Sequence, residues 1–125
     1  MARNTFQSAK AVGGIAPLST LTEYNGVLFL SGVTAIDPAT DVLEGTAAEQ
    51  AEKALSIISD ILEDYGTSMD CVLKATIYLS DMNDFKAVNE VYAAHFNAPY
   101  PSRTCVEVSK LPMGACVEID IIAAK

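Results

Sequence analysis

At 125 residues, half of them apolar, the chain fits one compact domain spanning residues 1–125 with a sizeable core. A formal charge of −8, with only eight Lys and Arg, argues against a nucleic-acid partner, whose phosphates require a basic footprint. One histidine without clustered ligands argues against a metal. Neither an apolar run of bilayer length nor an N-terminal basic-then-apolar signal is read, so a soluble, cytoplasmic protein away from the membrane is expected. Cys71, Cys105 and Cys116 are odd in number and form no Cys-x-x-Cys pair, which fits reduced thiols in such a compartment.

Residues 5–12 are weakly patterned and are expected to form a short edge strand, followed by a breaker-rich loop over 13–17. Residues 18–24 are read as a strand on the strength of Asn25-Gly26, a hairpin signal because a type I′ turn needs positive φ twice. The apolar run 27–30 is the returning strand. Asp37-Pro38-Ala39-Thr40 is a turn, and Thr46-Ala47-Ala48-Glu49 matches a capping box. Beyond it Ala51, Ala54, Leu55, Ile58, Ile61, Leu62 and Tyr65 recur at helical spacing until Gly66 supplies a left-handed stop.

Residues 72–79, rich in β-branched and aromatic side chains, read as a central strand. Phe85, Val88, Tyr92 and Phe96 mark a second amphipathic helix with Asn89 on its stripe, and Pro99 and Pro101 end it. Two strands follow. The predicted order is β-β-β-α-β-α-β-β, an α+β fold with two helices on one face of a mixed sheet.

The last two strands carry the candidate chemistry. Alternation turns Arg103, Cys105 and Glu107 to one face of the first, and Cys116, Glu118 and Asp120 to one face of the second. An arginine fork recognises a planar carboxylate through two parallel charged hydrogen bonds, and a glutamate beside that anion can move a proton. A surface cross-strand pair contributing little is the competing reading. Cys105 has no histidine placed to activate it and is read as a structural thiol. His95 is expected on the surface or at a subunit contact. Glu107 and Asp120 read as solvated or subunit-bridging charges, and Tyr24, Tyr65 and Tyr92 as packing.

The order and spacing of Pro17 with Ser19, Phe29-Leu30-Ser31-Gly32, Asp37-Pro38-Ala39-Thr40, Gln50, Lys74, Asp81-Met82-Asn83-Asp84-Phe85, Asn89, Tyr92, Pro101-Ser102-Arg103-Thr104-Cys105-Val106-Glu107-Val108, Leu111-Pro112 and Val117-Glu118-Ile119 resemble the RidA family, also called YjgF or L-PSP endoribonuclease. That resemblance implies a chorismate-mutase-like domain, a homotrimer with clefts between subunits, and no cofactor. It implies hydrolysis of 2-imino and 2-enamino acids to 2-keto acids and ammonia. Arg103 and the Cys105 amide would bind the substrate carboxylate, Glu118 would activate water, and Ser31, Gly32 and Asn89 would line the cleft. Arg103 would keep Glu118 ionised while desolvation pushed the other way.

Two positions depart from the pattern. Leu18 stands where the deaminase branch commonly has tyrosine, and Val33 where glutamine is common. A non-catalytic protein binding small carboxylates such as 2-keto acids is therefore the alternative, and ribonuclease or translation inhibition ranks third.

Overall fold

Asn25 (φ 50°) and Gly26 (φ 80°) both take up the left-handed conformation that the type I′ hairpin demands. They join β2 (Leu21–Tyr24) to β3 (Val27–Leu30), paired Leu21 to Leu30 and Tyr24 to Val27. The computed structural model describes residues 2–11 and 16–125. Around the hairpin are β1 (Asn4–Phe6), α1 (Ala47–Asp64), β4 (Val72–Leu79), α2 (Phe85–His95), β5 (Ser102–Glu107) and β6 (Val117–Ala124), in the predicted order.

Two early boundaries differ from expectation. The first strand stops at Phe6, and the second begins only at Leu21. Between them the Gln7 side chain stands in for a ladder, donating to the Leu18 carbonyl at 2.9 Å and accepting from the Thr20 amide at 3.2 Å. A side chain that satisfies backbone groups in this way removes the need for paired strands there. Val12, and Gly13, Gly14 and Ile15 of the expected loop, lie outside the described residues.

The capping box of α1 is complete, Thr46 and Glu49 each accepting the other's amide. Gly66 (φ 89°) closes the helix: the Thr67 amide returns to the Leu62 carbonyl and its own amide to that of Glu63. Ala51, Ala54, Leu55, Ile58, Ile61 and Leu62 are all buried in the core. Gln50, also buried, donates to the Gly45 carbonyl at 3.0 Å and accepts from the Cys116 amide at 2.8 Å. That buried amide thereby ties the start of α1 to the entry of β6.

The six strands form one sheet in the order β1-β2-β3-β6-β4-β5, antiparallel except for β4 with β5. A parallel pair needs a crossover, which α2 supplies. Register then fixes what shares a face. Ala75, Ile77, Ile119 and Ile121 are buried beneath the helices, and Arg103 and Cys105 stand opposite Ala75 and Ile77. Thr76 with Asp120, Tyr78 with Glu118, and Phe29 with Ile122 occupy the other face. That face mixes polar with apolar groups. No helix among the described residues is long and apolar enough to cross a membrane.

Candidate active site

The residues singled out in the sequence separate into two groups. Arg103 and Cys105, on edge strand β5, face the helices. Glu118, on β6, faces away from them. With β4 lying between, the two charged groups are two strands apart and on opposite sides of one sheet. A small carboxylate gripped by Arg103 is out of reach of the same chain's Glu118.

In the first group, the Arg103 guanidinium carbon lies 5.0 Å from the Tyr92 ring centre and 5.6 Å from that of Phe85. Asn89 lies on α2 between Phe85 and Tyr92 in sequence and is partly buried. Among the described residues Arg103 has no salt-bridge partner. The Cys105 thiol is partly buried against the core, and burial pushes it up from its ordinary value despite the nearby Arg103 charge. A raised thiol is a poor nucleophile at neutral pH. The one histidine is engaged elsewhere, His95 Nε2 lying 2.6 Å from Glu52 and joining α2 to α1. It contacts another helix of its own chain instead of standing free at the surface.

In the second group, the Glu118 carboxylate rests directly over the Gly32 backbone. A Cβ built on Gly32 would lie 2.6 Å from Glu118 Oε2 and 2.9 Å from its carboxyl carbon. The Val33–Ile119 bridge holds that segment in place through two backbone hydrogen bonds. Ser31 Oγ donates to the Ser19 carbonyl at 2.7 Å, which leaves its oxygen as an acceptor for a ligand N–H. Ser31, Ser19 and Leu18 line a cleft of about 450 Å³ that also touches Phe29, Thr22 and Arg3. Leu18 is 53% exposed and presents methyl groups to this cleft, with no hydrogen-bonding function.

Burial raises the Glu118 carboxyl above its ordinary range, and the neighbouring Asp120 adds to the effect. Arg103, on the other face, is not among the causes, so within one chain desolvation outweighs it. Asp120 in turn accepts from the Tyr78 hydroxyl at 3.0 Å and is a cross-strand partner, not a solvated charge. Glu107 likewise has a defined role, accepting the Met82 amide at 2.8 Å ahead of α2. Tyr24, read as packing, is 53% exposed.

Sequence reading did not find that Phe85 and Tyr92 flank Arg103, or that Asp120 acts on Glu118. The spacing of Phe85, Asn89 and Tyr92 on one helical stripe was a usable signal. The parallel register placing β5 beneath that stripe was not.

Gly32→Ala is expected to leave the fold intact, because the obstructed atoms are the end of a flexible side chain. Displacing the Glu118 carboxylate should lower any rate that depends on it about 10²-fold. Paired thermal melts and rate measurements check this.

A small α+β chain of this topology, with two helices over one face of an open mixed sheet, defines a chorismate-mutase-like fold. The chain belongs to the endoribonuclease L-PSP family, the RidA or YjgF group, whose model matches residues 8–125. It is 37% identical over 126 residues to the 2-iminobutanoate/2-iminopropanoate deaminase of Capra hircus, covering 100% of this chain and 92% of the goat protein. The crystal structure of RidA from the Antarctic bacterium Psychrobacter sp. PAMC 21119 superposes with a TM-score of 0.93 at 35% identity, over 98% of this chain and 100% of that one. E. coli TdcF with bound serine superposes with a TM-score of 0.91 at 31% identity, over 98% of each chain. The family thus includes imine deaminases.

Proposed function

We propose that this protein hydrolyses 2-imino and 2-enamino acids to 2-keto acids and ammonia, in clefts built by two copies of the chain within a cytoplasmic homotrimer. The observation that carries the reading is the division of the site. An unpaired arginine fork on one face and a desolvated glutamate on the other are useful together only when a second copy brings them face to face. The deaminase among its relatives, and the amino acid bound in TdcF, support a small α-substituted carboxylate as the ligand class.

In this mechanism Arg103 holds the carboxylate through two parallel N–H donors, with the Cys105 amide assisting. The iminium carbon is already electrophilic, so positioning and one acid–base group suffice. Glu118 removes a proton from water as its oxygen bonds to that carbon, giving a tetrahedral aminoalcohol. It then returns the proton to nitrogen and, once ionised again, takes up the hydroxyl proton as the C–N bond breaks, so that the 2-keto acid forms and ammonia leaves. Ser31 Oγ accepts from the substrate N–H, and Asn89 lines the Arg103 side. No cofactor is called for.

A net charge of −8 and a sole histidine held by Glu52 count against ribonuclease chemistry. The test is a coupled assay in which an amino-acid dehydratase or oxidase generates the imino acid and keto-acid release is followed. The native chain should accelerate release, and Glu118→Ala should not. Leu18→Tyr, which restores a hydroxyl to the cleft, is expected to raise the rate severalfold. A native chain that binds 2-keto acids without accelerating release is instead a carboxylate-binding protein.

A further inference from the structure

The Arg103 side chain is held in an unusual way for a chain with 16 acidic residues. Among the described residues no carboxylate comes within salt-bridge distance of it. Two aromatic faces surround it instead, Tyr92 at 5.0 Å and Phe85 at 5.6 Å. The Tyr92 ring is itself backed by Phe96, with centroids 4.5 Å apart. Tyr92 is 5% exposed, whereas Phe85 is 38% exposed at the outer end of the same stripe. The Tyr92 hydroxyl is buried without a hydrogen-bond partner among the described residues.

A guanidinium over ring faces is attracted by the ring quadrupoles, yet among the described residues none of its N–H donors is used. An ion pair would fix the group equally well, but would occupy the donors that a ligand needs. The rings fix the guanidinium without competing for the carboxylate, and their low polarity strengthens the later charged hydrogen bonds.

We propose that Phe85 and Tyr92 are positioning residues that clamp the Arg103 guanidinium through their ring faces and pre-organise it for a planar carboxylate. This rests on the reading that Arg103 binds the ligand's carboxylate. The clamp acts on ligand binding and leaves the proton transfers at Glu118 to the other half of the site.

The test measures 2-oxobutanoate affinity by titration calorimetry, with KM and kcat for the imino acid, in the full-length protein. Phe85→Leu and Tyr92→Leu should each weaken keto-acid binding about tenfold and raise KM with little change in kcat. Tyr92→Phe keeps the ring and should bind within about twofold of the native chain. Thermal melts identify a Tyr92→Leu variant that fails to fold, and the half-exposed Phe85 site gives a second reading free of that problem. Native-strength binding in Phe85→Leu, or a loss in Tyr92→Phe as large as in Tyr92→Leu, overturns the clamp. Arg103→Ala is the control that separates the two levels: if it binds 2-oxobutanoate like the native chain, the carboxylate reading fails and the clamp falls with it.

Discussion

Glu118→Gln is expected to remove turnover of 2-imino acids by about 10²- to 10⁴-fold while 2-keto acids still bind at near-native strength. In the proposed mechanism the carboxylate acts as a base, and burial together with Asp120 holds its pKa above the ordinary glutamate range. The rate should therefore fall on acidification at a pH above about 4.3, where a free glutamate would still be ionised. Asp120→Asn removes the like-charge contribution and should move this acidic limb downward. Stability should respond in the opposite sense. A carboxyl whose pKa is raised on folding binds its proton more tightly in the native state, so it favours folding below its unfolded value. That contribution is lost as pH rises through the folded value. Glutamine mimics the protonated form at every pH. Glu118→Gln should thus be more resistant to urea than the native chain at pH 7, with the difference vanishing near about pH 3. A variant equally stable at both pH values would mean that Glu118 is not desolvated in solution.

The parts of the fold written in local sequence were legible. Asn25-Gly26, the Thr46/Glu49 box and Gly66 each solve a backbone problem within a few residues, and all three appear as read. The alternation of Arg103 and Cys105 against Thr104 and Val106 was also legible, but its orientation was not. A strand usually turns its apolar side toward the helices, whereas β5 turns a charged residue that way and leaves Val106 39% exposed on the other face. This inversion is tolerable because β5 is the sheet's edge and the rings of Phe85 and Tyr92 accept a cation. Strand order is the other missing quantity. Tyr78 and Asp120 are 42 residues apart, and no local pattern says that β6 lies beside β4. The candidate site was therefore readable as a set of residues but not as a geometry. Arg103 and Glu118 were both named as candidates from the sequence, and their separation to opposite faces was not foreseen.

That separation makes the second large effect a test of assembly. Arg103→Ala and Glu118→Ala are each expected to lack turnover as pure proteins, the first by losing the carboxylate grip and the second by losing the base. In a shared cleft Arg103 comes from one copy and Glu118 from its neighbour. Co-expressing or co-refolding the two variants then creates clefts in which both native residues meet, and others in which neither is present. Random assembly of equal amounts leaves about a quarter of clefts fully native, so roughly a quarter of the native rate should return. Mixing the folded variants without subunit exchange should restore nothing. A site made within one chain predicts a different result, because every cleft would then lack one residue whatever the mixture. The opposite-face placement is the ground for expecting the first outcome: Glu118 shares its face with Tyr78, and Arg103 shares its face with the buried Ala75. Continued inactivity in a verified mixed oligomer would show that these two residues do not act on the same ligand.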